Sequence, residues 1–171
     1  YSPLDTDTKG IPSLVVQNQN CIQVPKGGFL YCSHGISKSG GGNDANIYTI
    51  VFDIRVEDIS IYHALYNCNF KNKNDAEVFL NKSGKFGKGK SYSTKVISAG
   101  RWVRLAISVD ANLGVANFYI NGEYSHQKDN LSIDGSFSMF SKESGKGIIT
   151  LFSDDDGEDN NIDVRGVVYS P

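Results

Sequence analysis

The sequence alternates between apolar and polar positions through Tyr48-Thr49-Ile50-Val51-Phe52-Asp53-Ile54-Arg55-Val56. Thr49, Asp53 and Arg55 fall on one side of an extended chain, and the largest apolar side chains fall on the other. A period of two is typical of a strand with one buried face and one face toward solvent. This stretch is therefore predicted to be a half-buried strand.

Two further segments downstream extend this β pattern. Residues 102–109 alternate in the same way and predict a second strand. Residues 115–120 then lead into Asn121-Gly122, the dipeptide that best tolerates positive φ at both central positions of a type I′ turn. Residues 115–120 and 123–125 are therefore predicted to pair as a hairpin.

The remaining β-like segments are short and are bounded by Gly, Asn, Asp or Ser. They occupy residues 14–17, 22–24, 61–66, 76–80, 148–152 and 163–169. Because no long helical period and no strand–helix alternation occurs, the chain is predicted to be all-β, with two antiparallel sheets packed face to face. Irregular loops are expected at residues 37–46, 67–75, 82–93 and 154–161, at the rims where function tends to lie.

Composition narrows the class of protein and its partners. The 171 residues suit one domain spanning 1–171, with 39% hydrophobic residues, 21% charged residues and a net charge of -2. This charge gives no field that would attract nucleic acid, and no apolar run is long enough for direct membrane insertion. Because the chain opens with Tyr1-Ser2-Pro3, we expect it to be excised from a larger protein.

Cys21, Cys32 and Cys68 have spacings that match neither a zinc ribbon nor a redox motif. At most one disulfide can form, and the sequence leaves one bridge and three idle thiols equally open. His34 and His63 are likewise far apart along the chain, as is His126, so the sequence indicates no zinc site.

Four segments in order resemble the concanavalin A-like lectin and glucanase superfamily, in its laminin-G-like branch. They are Tyr48-Thr49-Ile50-Val51-Phe52-Asp53, Asp75-Ala76-Glu77-Val78-Phe79, Gly100-Arg101-Trp102-Val103-Arg104 running into Ile107-Ser108-Val109-Asp110, and Phe118-Tyr119-Ile120-Asn121-Gly122-Glu123. The resemblance covers most of the chain. It implies a jelly roll of two curved sheets, an extracellular or cell-surface location, and a role as a lectin, an adhesion module or an accessory domain of an enzyme.

An acidic loop is the strongest candidate for a metal site. Five of the six residues from 154 to 159 are acidic, and such close like charges repel unless solvent or a cation screens them. Calcium prefers six to eight hard oxygen ligands, and the candidates here are Asp154, Asp156, Glu158 and Asn160. A second loop must complete the site, and the resemblance makes Asn74 or Asp75 the first candidate. A solvated acidic loop without an ion is the alternative.

Ligand recognition has two sets of candidates. Lysines concentrate at positions 71, 73, 82, 85, 88, 90 and 95, where Lys88 and Lys90 are candidates for binding acidic glycans and a mobile, solubilising loop is the alternative. A neutral sugar requires an exposed aromatic ring beside polar groups. The candidate rings are Tyr66, Tyr92, Phe86, Tyr31 and Tyr124.

Catalysis is not indicated by any motif. Glucanases of the superfamily carry Glu-x-Asp-x-x-Glu on one strand, and this motif is absent, since Val56-Glu57-Asp58 and Asp75-Ala76-Glu77 each lack a third carboxylate. The sequence therefore predicts a non-catalytic, lectin-like carbohydrate-binding module with possible calcium assistance. A protein-interaction or adhesion domain is the alternative, and a polysaccharide-active enzyme is a further one.

Overall fold

The computed structural model describes residues 13–68 and 75–170. The strands are, in chain order, β1 (Ser13–Val16), β2 (Gln19–Val24), β3 (Leu30–Ser33), β4 (Ile47–Arg55), β5 (His63–Asn67), β6 (Val78–Leu80), β7 (Lys85–Lys88), β8 (Ser91–Val96), β9 (Val103–Asp110), β10 (Val115–Ile120), β11 (Glu123–Asp129), β12 (Ile148–Leu151) and β13 (Ile162–Ser170). Within the described ranges the helical structure is limited to a 3₁₀ turn at Lys142–Ser144. Nothing in these ranges forms a helix with the length and apolarity that crossing a membrane requires.

The strands form two antiparallel sheets, which confirms the predicted all-β jelly-roll sandwich. The seven-stranded sheet has the order β1-β2-β13-β4-β9-β10-β11, and the six-stranded sheet has the order β3-β12-β5-β6-β7-β8. The core lies between them and includes side chains from both inner faces. Each sheet therefore keeps an outer face on which binding groups can be displayed.

The predicted strand pattern in β4 is confirmed. Tyr48, Ile50, Phe52 and Ile54 are all buried, whereas the residues between them are partly exposed. β4 pairs with β9 along nearly its whole length, and β9 shows the same alternation. On the outer face Arg104 donates two hydrogen bonds to the Asp53 carboxylate, at 2.8 and 2.6 Å.

The Asn121-Gly122 turn is also confirmed. Asn121 has φ 54 and Gly122 has φ 83, so both central residues lie in the left-handed region that this turn needs. β10 and β11 pair across it, but β11 extends to Asp129 and is longer than the three residues predicted. The extension has no regular alternation because β11 is an edge strand whose residues are largely exposed.

Aromatic rings join the two sheets across the core. The Phe52 ring of β4 stacks on Tyr66 of β5, with centroids 6.1 Å apart, and meets the Phe152 edge at 6.2 Å. Phe86 of β7 contacts Phe118 of β10 edge-on at 5.2 Å. Because Tyr66 and Phe86 are both 0% exposed, the prediction that they are sugar platforms is wrong.

The Tyr66 hydroxyl is satisfied inside the core. It lies 2.9 Å from the hydroxyl of Tyr48, which donates at 2.6 Å to the carbonyl oxygen of Phe137. Since Tyr48 has one proton to donate, Tyr66 must donate to Tyr48. Burial raises the pKa of both hydroxyl groups well above their usual range.

The lysine-rich segment forms a hairpin where an irregular loop was predicted. β7 and the first half of β8 lie within residues 82–93, and Gly89 between them has φ 64. The prediction failed because the outward positions differ widely in character, from Lys85 and Gly87 to Tyr92, so the alternation shows at few sites, such as the buried Phe86 and Ser93. β3 was also missed. Lys71, Lys73 and Asn74 lie outside the described residues.

The glycine run at residues 40–42 has a structural role in a loop clamp. Its three glycines all have positive φ, and a Cβ atom at Gly42 would lie 2.5 Å from the Asp134 carboxylate. That carboxylate accepts hydrogen bonds from the backbone N–H groups of Asn43 and Asp44, and from the buried amide of Asn46. The clamp ties the 37–46 loop to the segment after β11.

The three cysteines are free and buried. Of the two possibilities that the sequence left open, the structure therefore has three unpaired thiols. Burial raises the pKa of Cys32 to about 11 and that of Cys68 well above its usual range, so these thiols stay protonated and unreactive at neutral pH.

Replacement of the central ring should test the packing between the sheets. We expect Phe52→Ala to reduce the free energy of unfolding by about 3–5 kcal/mol, because it removes contacts with both Tyr66 and Phe152. Val168→Ala, on the outer face of β13 where Val168 is 58% exposed, should change it by less than about 0.5 kcal/mol. Urea denaturation measures both, and equal effects would contradict this account of the core.

Candidate functional site

Three of the predicted metal ligands come together. One carboxylate oxygen from each of Asp75, Asp154 and Asp156 lies within 4.8 Å of the other two. We refer to these three residues as the acidic cluster. Asp154 is 4% exposed, whereas Asp75 and Asp156 are exposed. The cluster therefore has a buried base and an open side.

The loop after β12 carries Asp154 to the far side of β5. β5 lies between β12 and β6 in the sheet, yet Asp154 Oδ1 accepts a hydrogen bond from the N–H of Ala76, just before β6, at 2.9 Å. Phe152 has φ 60, a conformation that is uncommon for a bulky residue and directs the chain out of the sheet here. Asp154 Oδ2 accepts from the Asp156 N–H at 3.3 Å, which fixes the carboxylate from two sides.

The other two predicted ligands, Glu158 and Asn160, lie outside the acidic cluster. The Glu158 carboxylate is partly buried and lies close enough to the acidic cluster for both burial and the charges of the cluster to raise its pKa. The Glu158 backbone carbonyl accepts a hydrogen bond from the Ala64 N–H at 3.1 Å. The Asn160 side-chain amide instead donates to the Tyr62 carbonyl at 2.8 Å. Asn160 therefore helps to hold the loop on β5.

Repulsion dominates the electrostatics of the acidic cluster. The protonated Asp156 carboxyl group makes a hydrogen bond with the Asp154 carboxylate. This hydrogen bond and the negative charge of Asp154 raise the pKa of Asp156 from 3.8 to about 6. Burial raises the pKa of Glu158, and the charges of Asp156, Asp154 and Asp75 raise it further. A bound cation would remove this repulsion, because it favours the ionised carboxylates.

Aromatic rings lie on the outer face of the six-stranded sheet. Ala64, Phe79, Gly87 and Tyr92 are paired neighbours across β5, β6, β7 and β8, in a row that alternates with the core-facing row of Leu80 and Phe86. Tyr62 packs edge-on against Phe79 at 5.7 Å.

Both tyrosines of this face are partly exposed. Burial, and the nearby Tyr62, Glu158 and Asp75, raise the pKa of Tyr92 to about 12. Tyr92 thus lies beside both the second tyrosine and the acidic residues. We call Tyr62, Tyr92 and the acidic cluster together the outer-face site.

Lysines border the outer-face site. The Lys88 ammonium lies 5.1 Å from the Phe79 ring centroid, 3.3 Å from the Asp75 carboxylate, and within hydrogen-bonding distance of the Ala76 carbonyl. The Lys82 ammonium lies 5.4 Å from the Tyr62 ring centroid. Lys90 is exposed in the turn between β7 and β8.

The remaining aromatic candidates lie elsewhere. Tyr31 on β3 is 58% exposed and contacts Phe29 edge-on, and Tyr124 on β11 is 60% exposed. β3 is the strand of the six-stranded sheet farthest from β8, and β11 belongs to the other sheet. Tyr124 lines a groove with Thr94 and Lys95 of β8 and with Glu123.

Tyr62 was missed at the sequence level. It falls within residues 61–66, which the apolar pattern predicts to be a strand, so its ring was not separated from the core positions. β5 in fact begins at His63. The signal that could have identified Tyr62 is its position just before β5, at the end of the sheet where the acidic loop also lies.

Comparison by sequence finds no relatives: no protein-family model matches the chain, and no curated protein matches it significantly. Solved structures do match its fold. Three of these structures illustrate the fold that this chain shares.

One match is the binding domain of botulinum neurotoxin serotype D, with 12% identity and a TM-score of 0.58 over 94% of this chain and 41% of that one. A heptameric SAP-like pentraxin from Limulus polyphemus has 13% identity and a TM-score of 0.58, covering 93% and 74%. Domain 4 of an extracellular arabinanase from Geobacillus stearothermophilus, solved with arabinotriose, has 16% identity and a TM-score of 0.52, covering 92% and 76%. The chain thus spans about two fifths of the toxin domain.

Replacement of Asp156 should test the repulsion in the acidic cluster. Because its pKa is raised in the folded chain, ionisation destabilises the fold, and the penalty grows as the pH rises from 3.8 to above about 6. With a chelator present, Asp156→Asn should therefore raise the melting temperature at about pH 7.5 and have little effect at about pH 3.5, below both pKa values. Asp155→Asn, the matched control outside the cluster, should give a smaller gain, and equal gains at the higher pH would contradict the assignment.

Proposed function

We propose that this chain is a non-catalytic carbohydrate-binding module of a secreted or surface protein, assisted by calcium, and that it belongs to the laminin-G-like branch of the concanavalin A-like superfamily. The observation that carries the proposal is the outer-face site. There Tyr62 and Tyr92 lie beside three converging carboxylates on an open sheet face.

The two parts of the outer-face site suit the two sides of a sugar. A pyranose or furanose ring has a C–H face that packs on an aromatic ring, and hydroxyl groups that need hydrogen-bond partners or a metal ion. The tyrosines offer the first surface, and the acidic residues, with or without calcium, offer partners for the hydroxyls. The arabinanase domain solved with arabinotriose supports this class of ligand.

Calcium fits the donor set of the acidic cluster. The carboxylates are hard oxygen donors, Asp154 is held by two backbone N–H groups, and the exposed side leaves room for water or sugar hydroxyls to complete the coordination. Calcium would also relieve the repulsion that raises the pKa of Asp156. The same ion would then tie the acidic loop to the start of β6.

Neutral glycans fit the outer-face site better than acidic ones. The ammonium of Lys88 is already engaged by Asp75 and by the Ala76 carbonyl, and that of Lys95 by Glu123 at 3.2 Å. The adjacent carboxylates would also repel sulfate or uronate groups. Lys90, which is exposed, remains a candidate contact at the edge of the site.

One observation keeps an enzyme as the second candidate. The converging carboxylates include one whose pKa is raised to about 6, and retaining glycosidases place two carboxyl groups about 5–5.5 Å apart. A module that only binds leaves a bound oligosaccharide intact. Release of reducing ends that Asp156→Asn abolishes would favour the enzyme.

Removal of a tyrosine ring should test the sugar platform on a glycan array. We expect Tyr62→Ala and Tyr92→Ala each to weaken glycan binding about two- to tenfold, because a ring contact of this kind contributes about 0.5–1.5 kcal/mol. Tyr124→Ala removes an exposed ring from the other sheet and should leave binding unchanged. A blank array for the unmodified protein, together with capture of a protein ligand, would favour the adhesion alternative.

Calorimetry with calcium should test the metal separately from the sugar. We expect heat of binding and a higher melting temperature with calcium at about pH 7.5, and a weaker effect at about pH 5 because protons then compete for Asp156. Asp156→Asn should lose both signals, whereas Asp155→Asn should keep them. The absence of both signals in the unmodified protein would refute calcium assistance without deciding sugar binding.

A further inference from the structure

The ammonium group of Lys88 is held from three sides at the edge of the acidic cluster. Lys88 is the last residue of β7, and its ammonium lies 3.3 Å from the Asp75 carboxylate and within hydrogen-bonding distance of the Ala76 carbonyl. The third side is the Phe79 ring, whose centroid is 5.1 Å away. A carboxylate, a carbonyl oxygen and an aromatic face all attract a cation. The ammonium therefore lies in a cage built for positive charge.

Lys88 is less exposed than the lysine of an ordinary surface ion pair. Its side chain is 21% exposed, whereas that of Lys95, which pairs with Glu123 at 3.2 Å, is 53% exposed. Exposed pairs contribute little to stability because water competes for both charges. The charge of Lys88 should therefore matter more to the folded chain than the charge of Lys95.

Ala76 connects Lys88 to the buried base of the acidic cluster. Its N–H donates to Asp154 Oδ1 at 2.9 Å, and its carbonyl accepts from Lys88. The positive charge also acts on Glu77, because burial raises the pKa of Glu77 and the charge of Lys88 opposes that shift. Lys88 thus offsets negative charge along the segment that leads into β6, where Asp75 joins the acidic cluster.

A divalent cation and the Lys88 ammonium need the same carboxylate. Calcium contacts its oxygen ligands directly, at about 2.3–2.6 Å, and the Asp75 side chain is 63% exposed and so open to a cation from solvent. Two cations on one carboxylate repel each other. The flexible four-carbon stem of a lysine lets its ammonium move back into water. Binding of a metal ion by all three carboxylates therefore favours departure of the ammonium.

We infer that Lys88 is a tethered counter-ion of the acidic cluster that a divalent cation has to displace, so that Lys88 sets the calcium affinity of the site. The displacement rests on the calcium site of the proposed function, whereas the counter-ion role does not. Lys88 then competes with the metal ion, where the sequence predicted a contact for acidic glycans. The same side chain supplies Asp75 with a positive charge when no metal ion is bound.

Lys88→Met tests both roles, because methionine keeps an apolar stem on the Phe79 ring and removes the charge. With a chelator at low salt, we expect Lys88→Met to lower the melting temperature by about 2–4 °C, since Asp75 and Glu77 lose their counter-ion. In calorimetry it should bind calcium about tenfold more tightly than the unmodified protein. Lys88→Arg keeps the charge and should behave like the unmodified protein in both measurements. Lys95→Met is the matched control and should change neither.

The outcomes separate the role of Lys88 from the proposed function. Calcium binding by the unmodified protein that Lys88→Met leaves equal or weakens would overturn the displacement and leave calcium assistance standing, as would equally tight binding by Lys88→Met and Lys88→Arg. Calcium binding by Lys88→Met alone would support the displacement and refute calcium assistance in the unmodified protein. The absence of calcium heat from both proteins would overturn both. An unchanged melting temperature of Lys88→Met in chelator would overturn the counter-ion role.

Discussion

The contact of Phe52 with Tyr66 and Phe152 is the constraint on which the rest of the molecule depends. It joins the central strand of one sheet to two neighbouring segments of the other, at the point where the chain leaves β12 for the acidic loop. Because the Phe152 ring is held in the core, the following residues must turn away from the sheet, and Asp154 reaches Ala76. The burial of three aromatic rings thus sets the position of three carboxylates.

Much of the sandwich could be predicted from the sequence, since buried and exposed faces alternate clearly in β4 and β9. The type I′ turn at Asn121-Gly122 was predictable for a different reason, because few dipeptides tolerate two positive φ angles. The hairpin of β7 and β8 was not predictable in this way. Its outward positions mix lysine and glycine with Tyr92, so no clear alternation is visible before the pairing of β7 with β6 is known.

For the site, charge was more informative than aromatic content. Close like charges in a loop need an explanation wherever the loop lies, which is why Asp154 and Asp156 were predicted, and the structure places Asp75 beside them. An aromatic residue has no such local signature, because core rings and binding rings share the same strand propensity. Tyr66 and Tyr62 lie four positions apart, and the sequence indicated Tyr66 as a platform but not Tyr62, because it does not show that β5 begins at His63 or that a bulge interrupts its pairing with β6.

The three unpaired cysteines can serve as natural probes of local opening in the folded chain. Cys21 lies in β2, Cys32 in the edge strand β3, and Cys68 directly after β5 near the Tyr48 and Tyr66 hydroxyls. Each thiol can meet a reagent only when its own surroundings open, so the rate of modification at each position reports a local opening free energy. The chain thus carries natural reporters for an edge strand of one sheet, an inner strand of the other, and the centre of the core.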